Sequence, residues 1–349
     1  MKFISTWIGA ACLVIGSSGP VVAWDYEGHR IVNQIALSSL PTNFPSFVLT
    51  PAARERIAFL AGEPDRWRNS TDLPLKHFNG PDHYIDLEEL ADVGLSVTNL
   101  SHFRYEFMAQ LAVGRDRHAT NLPAIDPAKN LDKTRELVGF LPWAITEQYA
   151  KLKSAFSYLK AFEENGTPEE IANAQENIVS IMGVMGHYVG DATQPLHTTK
   201  HFNGWVGENP RGYTTNRSFH SWIDGGYNLK TGLAFDGFSS KIKPAKMLWP
   251  GNPAARHDDV FPEAMEFILE QFRLVETLYR LEKDGRLSGD GENGLKGVEF
   301  IRGQMLKAGQ KLGDFWWSAY RQAGPDNYLK ARLIERKYGK GGKPPSGQP

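Results

Sequence analysis

Apolar residues recur every three to four positions over most of the chain, and the strict alternation of a half-buried strand is nearly absent. Windows at 27–40, 52–60, 99–113, 132–162, 168–190, 263–283, 295–321 and 328–338 carry this period, some with interruptions, so the spacing predicts an all-α fold. The fifth window has the clearest start chemistry. Thr167 stands as N-cap, Pro168 at the first helical position, and Glu170 where a capping box needs its carboxylate. Segments 114–130 and 204–217 read as long polar loops. With neither an internal repeat nor a linker in the pattern, one multi-helix domain over 24–338 is the simplest organisation.

Composition narrows the class. An apolar fraction of 41% with 23% charged residues over 349 positions suits a large globular core. A formal net charge of −1 excludes a broad basic field of the kind that tracks long duplexes. Residues 1–23 depart from the rest: Lys2, an apolar run over 3–15, and small Val21 and Ala23 before a cleavage point predict a secretory signal. Gly16 and Pro20 break that run short of the ~20 residues a membrane anchor needs. The expected location is therefore secreted or periplasmic, with no membrane anchor. Cleavage after Ala23 would leave Trp24 with a free amine, itself a possible metal ligand. It would also remove Cys12, the only cysteine, so the mature chain would need a stabiliser other than a disulfide, for which bound metal is a candidate. The Gly/Pro-rich tail 339–349 is expected to be disordered.

The candidate chemistry lies in histidines and aspartates. In GHYVGDATQPLH, His187 and Asp191 stand four apart on one helix face, and Pro195 should end the helix and return His197 to the same spot. His220 and Asp224 in FHSWIDGG repeat the four-residue spacing, His29 follows Trp24 in WDYEGHRIV, and Asp65 and His83 flank the 64–82 region. Each motif alone also fits a hydrogen-bonded core histidine. Together they exceed the roughly four ligands one zinc takes, so several zinc ions fit better than one.

In this joint pattern the chain resembles the zinc-dependent single-strand-specific nucleases and 3′-nucleotidases of the S-one and P-one type, relatives in fold of the bacterial zinc phospholipases C. The resemblance rests on the offsets Trp24/His29, His187/Asp191/His197 and His220/Asp224 and covers the frame from Trp24 to Asp224. It implies a trinuclear zinc cleft in a single helical domain. One zinc would be held by Asp65, His83, His187 and Asp191, and a second by Trp24 and His29 with Asp191 as bridge. The third would be held by His197, His220 and Asp224. It also implies a secreted endonuclease, expected to be a monomer, in which zinc-activated hydroxide attacks the phosphorus of single-stranded DNA or RNA.

Arg68, three after Asp65, falls where the family places a cation near the scissile phosphate, so Asp65 and Arg68 are the expected catalytic pair. Tyr84 and Asp86, in HYID, resemble the family's nucleobase pocket of a stacking ring and an accepting carboxylate. His77 in KHFNG rivals His83 as ligand; the following Tyr84 and Asp86 favour His83.

The segment from about 90 to 174 is longer than the family's, and its Phe103, Tyr105, Phe107, Phe140 and Trp143 suit either core packing or a reshaped cleft. His102, His118, His201 and His257 read as surface or core histidines. Two other functions share these residues: a zinc phospholipase C acting on lipid head groups, and a non-catalytic exported protein that uses zinc in place of disulfides.

Overall fold

In a computed structural model the described residues are 24–248 and 259–340. The expected export signal, His257 and most of the expected disordered tail lie outside them. The described residues are mostly helical, with no strand; their sole β-type pairing is an isolated bridge between Ile85 and Gly139. None of their helices is long and apolar enough to cross a membrane.

Four helices form the centre: α1 (Tyr26–Ser39), α6 (Leu141–Asn165), α7 (Pro168–Asp191) and α10 (Gly291–Gln322). Between α1 and α6 run α2 (Pro51–Leu60), α3 (Glu63–Arg68), α4 (Leu73–Asn79) and α5 (Arg104–Arg117), and α8 (Phe261–Phe272) and α9 (Val275–Lys283) precede α10. A last helix, α11 (Asn327–Tyr338), packs on α6. The capping box at the start of α7 forms as the sequence predicts, with Thr167 Oγ1 accepting from Glu170 N–H and Glu170 accepting from Thr167 N–H.

Several boundaries differ from the periodicity. The helix expected over 132–162 starts only at Leu141, because Gly139 takes φ +97° and the preceding backbone pairs with residues 81–86 instead. The helix expected over 99–113 is shifted to Arg104–Arg117. The window 263–283 breaks at Arg273 and Leu274, where no glycine or proline marks the interruption.

The C-terminal half of α7, from Met182 to Asp191, is buried on every side, meeting α1, α2, α6 and α10. Glycines permit this. A Cβ at Gly183 would overlap Leu60, one at Gly186 would overlap the Asn33 carboxamide, and one at Gly190 would stand 2.7 Å from His29 Nδ1. Asn33 is fixed in that gap, its Nδ2 donating to Ile57 O at 2.8 Å and Gly183 O at 3.1 Å. On the other face of α1, Gly309 and Gly313 of α10 admit Ile35 and Ser39 in the same way. α1 thus divides two apolar clusters, Val32, Ala36 and Leu37 facing one and Ile31 and Ile35 the other, and holds His29 at their junction.

Gly186→Ala is expected to destabilise the fold by about 1–3 kcal/mol through this overpacking. Gly303→Ala, in an exposed stretch of α10 with open space around it, should instead stabilise by about 0.5–1 kcal/mol. Urea-midpoint measurements on both variants check the contrast, and equal shifts would contradict it.

Candidate metal centre

The end of α7 and five other segments bring the sequence-predicted ligands together. His29 comes from α1, Asp65 from α3, and His187 and Asp191 from α7. His83 ends a 3-10 turn (Gly80–His83), and His197 lies in another (Pro195–Thr198), reached through the chain reversal that Pro195 starts. His220 and Asp224 do not share a regular α-helix. A short turn (Phe219–Ser221) passes into a π-turn (Trp222–Gly226), which still brings His220 Nε2 to 2.9 Å from Asp224 Oδ2. All eight side chains are buried.

They form three adjoining groups able to hold a metal ion: His29/His187/Asp191, Asp65/His83/His187, and His197/His220/Asp224. His187 belongs to two of them, its ring stacked on His29 with centroids 3.8 Å apart. Asp191 reaches His29 at 3.3 Å, His83 at 2.9 Å, His187 at 3.3 Å and His197 at 3.9 Å. In the second group His187 Nε2 lies 2.9 Å from His83 Nδ1 and 3.8 Å from Asp65 Oδ1, with His83 3.9 Å from the same oxygen. Ligands at zinc's bond lengths in a tetrahedron are roughly 3.3 Å apart, and these separations scatter about that edge.

The donors are available to a cation. The Nε2 atoms of His29 and His197, Oδ1 of Asp191 and Oδ2 of Asp65 are buried without a hydrogen bond. Atoms so stranded each cost about 1–3 kcal/mol, which a bound ion would relieve. Backbone carbonyls orient two rings from behind: Ala61 O accepts from His187 Nδ1 at 2.7 Å, and His83 O from His197 Nδ1 at 2.5 Å. Such bonds fix the tautomer and leave Nε2 free for a metal. Gln194, which the sequence reading passed over, donates to Asp224 Oδ1 at 2.6 Å and fixes that carboxylate. Its position beside Pro195 and His197 was its only signal.

Charge fits the same use. Burial holds three imidazoles neutral, His83 and His220 down to about 3 and His197 to about 4, with Arg68 adding to the effect at His83 and His220. Burial and neighbouring His187 lower His29 as well. For Asp191 burial acts upward but His187 and His197 outweigh it, keeping the carboxyl well below its usual range; at Asp65 burial is likewise outweighed, by Arg68 and His187. His187 is the exception among the rings: burial opposes its proton, but Asp191 and Asp65 together raise it. Burial pushes Asp224 up to about 8.

The other predicted residues stand around these groups. Trp24 is buried, its indole N–H donating to Gly190 O at 3.0 Å, and the next amide, Asp25 N–H, reaches Asp224 O at 3.1 Å. Arg68 Nε lies 2.7 Å from Asp65 Oδ1. With Tyr84, Asp86, His197 and His220, Arg68 lines a cleft of about 380 Å³ whose wall also includes Arg135 and Phe202. Asp86 is buried, with Oδ1 unpartnered, and burial followed by Glu89 raises its carboxyl well above the usual range. His77 is exposed on α4 and bonds to Asp132 O at 2.7 Å, away from the groups that include His83. A larger trough of about 760 Å³ between α8 and α10 is lined mainly by Lys and Glu, among them Glu263, Glu266, Lys307 and Lys311, and contains none of the three groups.

The aromatics of the long segment divide. Phe107, Phe140 and Trp143 are buried, Phe107 stacked on Trp143 at 4.1 Å, whereas Phe103 and Tyr105 are exposed; none of the five lines the cleft. Of the remaining histidines, His201 stacks on Trp205 at 3.9 Å and His102 pairs with Asp259.

A scan against protein-family models finds no match, and a search of curated proteins finds none.

Metal binding here requires neutral imidazoles and ionised carboxylates. Asp224, pushed up to about 8, holds its proton at pH 7, and the His187 imidazole is shifted in the same direction, so zinc is expected to displace protons on binding, and its affinity should fall as pH drops from 8 to 6. Titrating the metal-free protein with zinc in weak buffer while recording proton release checks this. Affinity independent of pH over that range would contradict it.

Proposed function

We propose that the protein is a zinc-dependent phosphodiesterase that hydrolyses single-stranded DNA or RNA, and 3′-nucleotides, in the manner of the S-one and P-one nucleases. The observation that carries the reading is the shared boundary of metal ligands and cleft. His197 and His220 of the third group form the cleft wall together with a guanidinium, a phenol ring and a buried carboxyl. That combination suits a nucleotide, with phosphate, ring and hydrogen-bonding edge each met by a different group.

Nine residues would hold about three zinc ions. They are Trp24 and His29, Asp65 and His83, His187 and Asp191, and His197, His220 and Asp224. Zinc bound there supplies Lewis-acid stabilisation of the phosphoryl oxygens and a water of lowered pKa. Arg68, anchored on Asp65 at 2.7 Å, presents its guanidinium to phosphate oxygens, where a planar fork gains two parallel bonds. Tyr84 offers a face for stacking. Asp86, its carboxyl raised well above the usual range by burial, would hydrogen-bond the edge of a base.

Export with cleavage before Trp24 belongs to the same proposal. Trp24 is buried beside Gly190, next to Asp191, so its freed amine would arise at the edge of the His29 group.

Zinc-reconstituted protein is expected to cleave single-stranded DNA and release phosphate from 3′-AMP while leaving phosphatidylcholine intact. Arg68→Ala should lower kcat/KM roughly 10²-fold, with zinc content unchanged. Hydrolysis of phosphatidylcholine alone would instead establish the phospholipase reading. Full activity in Arg68→Ala would remove Arg68 from the chemistry, and inactivity toward all three substrates would leave zinc as a structural stabiliser.

Metal analysis of protein beginning at Trp24 is expected to give about three zinc ions, and one fewer when a single residue precedes Trp24. Equal content in both forms would remove the amine from the ligand set.

A further inference from the structure

The long segment between Asp86 and His187 builds one wall of the cleft. Residues 138–141 run beside 81–86: Asp86 N–H donates to Val138 O at 2.7 Å, Phe140 N–H to Pro81 O at 2.7 Å, and Leu141 N–H to Tyr84 O at 3.1 Å. On its other side the same strip is held by the histidine turn, Ile85 N–H donating to His197 O at 2.9 Å. Gly139 is required at this seam, since its φ is +97° and a side chain there would strike Tyr84 O. The loop before it, 126–137, is therefore fixed relative to Tyr84, Asp86 and His197.

That loop has its own internal framework. Asn130 is buried, its Nδ2 donating to Glu136 Oε1 at 2.7 Å and its Oδ1 accepting from Arg135 N–H at 3.2 Å. Asp132 ties the loop to α4, with its carbonyl at His77 Nδ1 and its carboxylate 3.5 Å from Lys76 Nζ. The framework places Thr134, Arg135 and Leu137 on the cleft wall. Arg135 Nε donates to Lys129 O at 2.7 Å, which fixes the guanidinium while committing only one of its nitrogens. Among the described residues neither Nη has an acidic partner, unlike those of Arg104 and Arg336. A guanidinium fixed through Nε, with both Nη groups free at the edge of a cleft, has the donors for bidentate binding of a phosphate.

We infer that Arg135 binds a second phosphate of the substrate, one nucleotide removed from the phosphate at Arg68, and so sets a preference for oligonucleotides over 3′-mononucleotides. This rests on the phosphodiesterase reading above. A mononucleotide carries one phosphate, which Arg68 takes, and so leaves Arg135 without one, whereas a chain offers a second. Arg135 acts through binding and touches no reacting atom.

The experiment uses zinc-loaded full chain, wild type, Arg135→Ala and Arg135→Lys, with 3′-AMP and a single-stranded thymidine decanucleotide as substrates over a range of salt. For Arg135→Ala, KM for the decanucleotide should rise roughly tenfold with kcat nearly unchanged, and kinetics on 3′-AMP should match the wild type. The slope of log(kcat/KM) against log salt should shrink by roughly 0.7, one phosphate contact on a single strand. Arg135→Lys should keep that slope with an intermediate KM, because it retains the charge without the fork. Equal changes on both substrates, or none on either, would overturn the role of Arg135 while the nuclease reading stands. A wild type that cleaves neither substrate would overturn the nuclease reading and this inference with it.

Discussion

The structure turns on one carboxylate. Asp191 is wholly buried at the end of α7, with His29, His83, His187 and His197 within 3.9 Å of it. A buried ionised carboxylate is costly unless positive charge or hydrogen bonds meet it. Four protonated imidazoles could supply that charge, but burial lowers three of them, His29, His83 and His197, and only His187 is raised, by Asp191 and Asp65. With Asp65 also ionised and Arg68 the cation beside it, the centre is rich in donor atoms and poor in positive charge. A divalent cation corrects both at once, and this balance argues for metal more strongly than the nearness of His to Asp alone.

Bringing four rings to one carboxylate sets the packing of the core helices. α1 must approach α7 closely enough for His29 to reach Asp191, and Gly186 and Gly190 provide that approach, while Gly183 admits Leu60 of α2. Asn33 then fills the groove between α2 and α7, bonding to Ile57 O and Gly183 O, so a polar group at the helix contact is satisfied by backbone. Gly309 and Gly313 repeat the arrangement between α1 and α10. The glycines of GHYVGD thus serve the same end as its histidine and aspartate: they lower the side-chain bulk that would hold the ligands apart.

Local chemistry was legible in the sequence where it is set by short-range rules. The four-residue spacing of His187 and Asp191, the reversal at Pro195 and the capping box at Thr167 all follow from helix geometry and appear in the structure. Long-range placement was not. Asp65 and Arg68 sit on α3, a helix of six residues, too short to show a period. Leu141, Pro142 and Trp143 read as the continuation of a helix, but the residues before them find backbone partners in 81–86, a choice made by tertiary pairing. The aromatic content of the long segment pointed to either core or cleft; Phe107, Phe140 and Trp143 went to the core, and the cleft wall came from the polar loop that follows 114–130. His220 and Asp224 show a subtler limit. Their spacing suggested an α-helical pair, and the residues do meet, but across a π-turn, a distortion often found where side chains must be aimed at a functional point.

A metal held at these groups would make folding and metal binding two sides of one equilibrium. The chain's single cysteine excludes an internal disulfide, so covalent cross-linking cannot offset the stranded polar atoms at the centre. The unfolded chain lacks the converged geometry, and a metal that binds only the folded form adds its binding free energy to the stability of the fold. α1, α3, α7 and the turns carrying His83, His197 and His220 each contribute a side chain to the three groups. Metal occupancy would therefore bind together elements whose apolar contacts lie in two separate clusters, on either side of α1. A metal held beside the cleft would thus also cross-link the two halves of the core.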